Sequence, residues 1–193
     1  MAPNLLPHDG EAWFYEGLFS PEETGRYFNL LLNNVEWKHQ PVKIFGREVL
    51  QPRLTAWFAD SLKKYRYSGI TMDAFEWTKE LLEIREKVEK ISGSGFNSAL
   101  LNFYRNGNDS VGWHRDNEKE LGPAPVIASV SLGAARKFEL RNYSDNSEKV
   151  SILLTDGSLL LMKGNTQKAW EHRLPKSVKQ LDARINITFR NIV

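Results

Sequence analysis

Arg184-Ile185-Asn186-Ile187-Thr188-Phe189-Arg190 alternates polar and apolar residues without a break. A period of two is the mark of a β-strand with two different faces. Ile185, Ile187 and Phe189 belong to a core. Arg184, Asn186, Thr188 and Arg190 line either wet surface or the wall of a polar pocket. Two arginines six residues apart on one face span roughly 20 Å along a strand, and their long side chains can converge on a small dicarboxylate. Arginine suits this because its planar fork binds carboxylate in a bidentate manner and stays charged. Upstream, SALLNFY (98–104), VIASVSL (126–132), KFELRNY (137–143), KVSILL (149–154) and SLLLM (158–162) are further short runs separated by turn residues. They read as strands, and in SALLNFY the polar Asn102 and Tyr104 share the face opposite Leu101 and Phe103. The second half is therefore a β-sandwich or jelly roll.

Two helices precede these strands. Ser20-Pro21-Glu22-Glu23 is a helix start, with a capping serine, proline at the first position and acids in the first turn. That helix runs to about Asn33 and buries Tyr27, Phe28, Leu31 and Leu32. A second, from about Phe75 to Lys90, presents Trp77, Leu81, Ile84, Val88 and Ile91 on one face, with Gly93 as its stop. These helices pack on one side of the strands, giving an α+β fold that is mainly β.

The 193 residues carry a formal net charge of +2 and no cysteine. The length suits one domain over 1–193. Without cysteine, disulfide frameworks, thiolate zinc sites and a cysteine nucleophile are excluded. The small net charge does not announce a nucleic-acid partner. No apolar run is long enough for a membrane helix. The first residues show no basic segment followed by an apolar stretch, so a secreted protein is not expected. The expectation is a monomer in a bacterial cytoplasm or a eukaryotic nucleus.

There are four histidines. His114 and Asp116 stand two apart, so in an extended segment both point to the same side. An imidazole nitrogen and a carboxylate oxygen then converge on one ion, and His172, on another strand, is the available third ligand. Two histidines and a carboxylate on one face of an ion leave positions open for a co-substrate and oxygen, the arrangement of non-haem iron. A structural zinc site is the alternative, but an open coordination sphere beside two arginines fits a redox ion with an acidic co-substrate better.

With these residues in order, the chain resembles the AlkB family of Fe(II)/2-oxoglutarate nucleic-acid dealkylases from about Phe45 to Val193. Asn102-Phe103-Tyr104 is similar to the family's Asn-x-Tyr. His114-x-Asp116 and His172 are similar to its metal triad, and Arg184-x-Asn186-x-Thr188-Phe189-Arg190 to its closing signature. The resemblance implies a double-stranded β-helix (jelly roll) over about 96–193 that holds Fe(II), with 2-oxoglutarate as co-substrate and molecular oxygen as oxidant. Asn102, Tyr104, Arg184, Asn186, Thr188 and Arg190 are implied to bind 2-oxoglutarate. Its distal carboxylate falls to Arg184 with Tyr104, and its metal-proximal end to Arg190 with Asn102. The implied reaction demethylates bases such as 1-methyladenine and 3-methylcytosine, releasing formaldehyde, succinate and CO2.

The branch acting on duplex DNA is the nearer resemblance. Ile44-Phe45-Gly46 resembles its hydrophobic hairpin, whose phenylalanine fills the gap left by an extruded base. Gln51-Pro52-Arg53 resembles its Pro-Arg turn, and Tyr65-Arg66-Tyr67 its base-stacking segment. Together they imply a nucleotide-recognition hairpin region at about 40–70. Asn117 and Glu118, after the triad aspartate, fall where the branch has acids near the flipped base, although Asn117 departs from that pattern. Flipping costs a few kcal/mol, a wedge offsets part of it, and aromatic stacking returns about 1–3 kcal/mol. Lys63, Lys64 and Arg66 are candidates for phosphate contacts, and Arg136 for a phosphate contact or plain surface ahead of a place at the catalytic mouth. The partner is DNA, duplex and single-stranded, with RNA as a further substrate. Other readings are an RNA demethylase, another 2-oxoglutarate hydroxylase, and a catalytically inactive nucleic-acid-binding module. If Phe45 is the wedge, Phe45→Ala impairs repair of duplex DNA more than repair of single strands; equal loss on both, in parallel repair assays, would sink the idea.

Overall fold

The computed structural model describes residues 3–44, 47–60, 65–67, 70–179 and 181–193, with side chains undescribed at 42–47 and 61–72. In chain order, β1 (Glu11–Tyr15) and α1 (Pro21–Asn34) lead into two small strands, β2 (Pro41–Ile44) and β3 (Arg47–Leu50). Next come β4 (Leu54–Ala59), β5 (Tyr65–Tyr67), β6 (Ile70–Met72) and α2 (Lys79–Ser92). The strands β7 (Ser98–Tyr104), β8 (Val111–His114), β9 (Ile127–Gly133) and β10 (Arg136–Asn142) follow. The chain continues with β11 (Lys149–Leu154), β12 (Ser158–Lys163), the one-turn α3 (Thr166–Ala169), β13 (Trp170–Leu174) and β14 (Arg184–Arg190).

These strands make a six-stranded sheet, β1-β12-β9-β14-β7-β4, and a four-stranded sheet, β11-β10-β13-β8. The large one draws β1 and β4 from upstream of Phe96, segments not read as strands in the sequence. Two separate hairpins, β2–β3 and β5–β6, stand outside both sheets. Phe45, Gly46, Lys63, Lys64, Ser68 and Gly69 lie outside the described residues, as do the side chains of Tyr65, Arg66 and Tyr67.

The expected alternation of β14 is what separates the layers. Ile185, Ile187 and Phe189 join Tyr27 and Leu31 of α1 and Leu81, Ile84 and Val88 of α2 in one core. Both helices thus cover one face of the large sheet. A second core fills the space between the sheets, where Phe138, Leu140, Trp170 and Leu174 meet Ala12, Ile127, Leu160 and Met162. The polar residues of β14 look into this second space. Every residue of β14 is buried, because the strand is central and neither of its faces reaches water.

α1 begins as read, with a capping box between Ser20 and Glu23. α2 begins four residues later than expected, capped by Thr78, because Phe75 is taken into a bridge with Phe58. Trp77 therefore lies outside the helix, stacked on Phe189 with centroids 6.2 Å apart. Ile91, expected on the buried face, is 42% exposed. Arg136 is not surface: it is 2% exposed and donates to the carbonyls of Asn106, Asp109 and Pro175, pinning two loops to β10. Among the described residues no helix is long and apolar enough to cross a membrane.

Gly133 ends β9 at φ +87°, with a would-be Cβ 2.6 Å from the Ala183 carbonyl and 2.8 Å from the Phe28 ring. A side chain there meets backbone on one side and the helix core on the other. Gly133→Ala is expected to cost at least about 2 kcal/mol from strain and clash, which thermal unfolding reads as a fall in Tm of roughly 4–8 °C.

Candidate metal and co-substrate site

β8 and β13 bring the two histidines together, since His114 and His172 are register partners. Their rings stand 4.3 Å apart between centroids. β8 is the edge of the small sheet, and its pairing with β13 is interrupted between His172 and Leu174. On the outer side Trp113 lies 4.2 Å from the Arg141 guanidinium and 4.5 Å from that of Arg173, contacts that hold this short edge strand to its neighbours. Asp116 was expected on an extended segment with His114. It instead follows the end of β8, in a stretch without regular structure. Even so, His114, Asp116 and His172 each offer a ligand atom, and the three atoms lie within 4.8 Å of one another.

The donor set fits a divalent transition metal. Nδ1 of His114 lies 2.8 Å from the Gly112 carbonyl, which fixes that nitrogen as the protonated one and leaves Nε2 to ligate. Burial, reinforced by the neighbouring His114, drives the His172 pKa down to about 3. Burial likewise lowers that of His114, so both rings are neutral near pH 7, as ligation requires. Burial disfavours ionised Asp116, but Arg190 and the two histidines outweigh it and hold the carboxyl below its usual range. Arg190 Nη2 stands 2.9 Å from Asp116 Oδ1, with both side chains almost wholly buried.

The cavity beside this cluster lies between the two sheets. Arg53, Asn102, Tyr104, Ser129, Arg184, Asn186, Thr188 and Arg190 supply its polar wall, and Leu100, Ile127, Phe138, Leu154 and Met162 its apolar one. The register of β14 against β7 explains the wall: Arg184 pairs with Tyr104 and Asn186 with Asn102. A chain of hydrogen bonds fixes it. Arg53 Nε donates to Asn102 Oδ1 (2.7 Å), Asn102 Nδ2 to Asn186 Oδ1 (3.0 Å), and Asn186 Nδ2 to Ser129 Oγ (2.8 Å). Thr188 Oγ1 also donates to Asn186 Oδ1.

Arg184 differs from the asparagines of this wall. It is 1% exposed, donates from Nη2 to Ser131 Oγ and lies against Tyr104, and among the described residues its Nε and Nη1 are buried with no well-formed hydrogen bond. Burial depresses its pKa to about 10, leaving it charged near neutral pH. A buried cation with unused donors is costly unless an anion completes it.

Three residues placed by the sequence with a nucleic-acid substrate have described side chains. Arg53 is buried and hydrogen-bonded to Asn102, in the same cavity as the histidines. Asn117 and Glu118 line a separate groove with Lys119, Pro123, Gln167 and Lys168. Burial and the neighbouring Asp116 raise the Glu118 pKa, and its Oε2 is buried without a partner among the described residues. Sequence reading missed Ser129 and Ser131, although their alternation in VIASVSL marks a polar strand face. It also missed Gln167, whose Oε1 accepts the Asp116 N–H, and no local pattern points to that residue.

The His172 shift carries a pH signature. The unfolded chain protonates His172 near 6.5 and the folded one only near 3, so between these values the unfolded state binds more protons. Stability of the metal-free protein is therefore expected to fall as pH drops through that window. His172→Gln should flatten the fall, and urea unfolding of both proteins at a series of pH values measures the difference.

Comparison with known proteins places this geometry. Residues 11–190 match the family model of the 2OG-Fe(II) oxygenase superfamily. The alpha-ketoglutarate-dependent dioxygenase alkB homolog 3 of Bos taurus is 42% identical over 185 residues, covering 91% of this chain and 64% of the relative. The DNA oxidative demethylase ALKBH2 of Homo sapiens is 38% identical over 189 residues, covering 93% of this chain and 72% of the relative. The chain spans 63–65% of the length of the mammalian alkB homolog 3 proteins it matches. A solved structure described as that of OsALKBH1 shares the fold, with a TM-score of 0.68 at 15% identity over 98% of this chain and all of the other. The expected jelly-roll architecture thus stands, and the similarity reaches further towards the N-terminus than the motifs alone. The superfamily's chemistry uses Fe(II), 2-oxoglutarate and oxygen, and this chain belongs to that superfamily and, within it, to the AlkB family.

Proposed function

We propose that this protein is an Fe(II)- and 2-oxoglutarate-dependent dioxygenase that demethylates N-alkylated bases in DNA. The observation that carries the reading is Arg184, a buried guanidinium with two nitrogens that lack a well-formed hydrogen bond among the described residues, in the cavity that also receives His114, Asp116 and His172. An acidic co-substrate beside a redox metal satisfies both features. The relatives named as DNA oxidative demethylases supply the substrate class.

His114, Asp116 and His172 would hold the iron, which when bound supplies the oxidising chemistry. Arg184 takes the distal carboxylate of 2-oxoglutarate, and Tyr104, whose ring centroid lies 5.2 Å from the guanidinium carbon, flanks it. Arg190 and Asn102 serve the metal-proximal end, with Asn186 and Thr188 completing the polar wall. Arg190 has a second task, keeping Asp116 anionic. Because Asn102, Arg184, Asn186, Thr188 and Arg190 are buried between the sheets, they are already largely desolvated and oriented before substrate arrives, so little reorganisation remains.

For the substrate, Phe45 acts as the wedge, Tyr65 and Tyr67 stack on the extruded base, and Asn117 and Glu118 meet its polar edge. Arg53 stands at the cavity wall, hydrogen-bonded to Asn102, and serves base binding from there. Duplex and single-stranded DNA are both substrates in this reading, with RNA as a further one, and the protein acts as a monomer. A single domain over 1–193 carries the site, with the hairpins at about 40–70 serving recognition.

The test is incubation of the iron-loaded protein with ascorbate, 2-oxoglutarate and DNA bearing 1-methyladenine, beside a His114→Ala control. Repair with equimolar succinate is expected, and in the control a loss of at least about 100-fold. Succinate without repair would remove DNA as the substrate while leaving the oxygenase. Neither product would leave a nucleic-acid-binding module.

A further inference from the structure

The three ligands of the site are not held in the same way. His114 and His172 face each other across a strand pair, so the sheet fixes both backbones. Asp116 is two residues past the end of β8, where no strand ladder reaches it. Its backbone N–H donates instead to Gln167 Oε1 at 2.9 Å, in a contact where Asp116 is 2% and Gln167 1% exposed.

We infer that Gln167 is a positioning residue for Asp116, its side-chain oxygen fixing the backbone from which the carboxylate ligand projects. The inference rests on the reading of Asp116 as a metal ligand. The amide has one sensible orientation, because Oε1 must face an N–H donor, and Nε2 then donates to Met162 Sδ at 3.5 Å. The helix that carries Gln167 is itself anchored. Thr166 Oγ1 lies 2.8 Å from the Glu11 backbone nitrogen and 3.0 Å from its carbonyl oxygen, tying α3 to β1. One residue further on, the Lys168 carbonyl accepts from Arg115 at 3.0 Å, so the same turn grips the chain on both sides of the Arg115–Asp116 peptide.

Asp116 is thereby fixed at two points. Gln167 holds its backbone from the α3 side, and Arg190 holds its carboxylate from β14. A side-chain oxygen suits the first task, because it satisfies a buried N–H. Groups that orient a metal ligand in this way typically change metal affinity 10–100-fold when removed.

The experiment is equilibrium titration of the metal-free protein with Mn(II), read by the EPR signal of free ion, for wild type, Gln167→Met and Gln167→Glu. Methionine keeps the volume and removes the acceptor; glutamate keeps an acceptor oxygen. Gln167→Met is expected to bind Mn(II) at least about tenfold more weakly, and Gln167→Glu no more than about threefold more weakly. A purely structural role would lower Tm in both variants without separating their affinities. Equal affinities in the two variants, whether both intact or both weak, overturn the inference. Should Gln167→Met not fold, amide hydrogen exchange of wild type decides. The Asp116 amide is expected to be protected like those of β8 and β13, and exchange at the rate of an open loop overturns the inference. A wild type that binds no Mn(II) would instead remove the ligand reading of Asp116.

Discussion

The buried pair of Arg190 and Asp116 joins the large sheet to the segment that follows β8 of the small one. Much of the site depends on it. Asp116 lies deep enough that burial alone would favour its neutral form, and a neutral carboxyl is a poor metal ligand. Arg190 shifts that balance, and it does so from the central strand β14, the same strand that sends Arg184, Asn186 and Thr188 into the cavity. One strand therefore sets both the charge beside His114, Asp116 and His172 and the polar wall of the neighbouring cavity.

This arrangement makes β14 costly on one face and stabilising on the other. Ile185, Ile187 and Phe189 seal against α1 and α2, where each fully buried side chain contributes about 1.5–3 kcal/mol. The opposite face carries two buried arginines. Most of its polar atoms are satisfied within the protein, through Asn102, Ser129 and Ser131. Nε and Nη1 of Arg184 have no well-formed hydrogen bond among the described residues. The helix-side core stabilises the strand strongly enough for its other face to keep an incomplete, charged pocket. A ligand anion that completes the pocket would add stability as well as chemistry.

The candidate metal ligands show the same division of labour. The two histidines are placed by β-pairing, which is a backbone property and tolerant of the residues around it. The carboxylate is placed by side chains, Gln167 and Arg190, that come from distant parts of the chain. Its geometry is accordingly sensitive to residues that touch neither metal nor substrate, among them Thr166, which locks α3 to the N-terminal strand.

The sequence by itself determined that β14 is a two-faced strand, that α1 is capped by Ser20, and that His114, Asp116 and His172 are the residues to bring together. These are local matters of period, capping and chemical type, which neighbours in sequence encode. Only the tertiary structure decided that the polar face of β14 is enclosed rather than wet, because an alternating pattern reads the same on an exposed sheet. It also decided that Arg136 clamps loops, that Phe75 pairs with Phe58 and so delays α2, and that Asp116 leans on Gln167. Each of these depends on which distant segment arrives to satisfy a buried hydrogen-bonding group, and contacts of that kind leave no periodic trace in the chain.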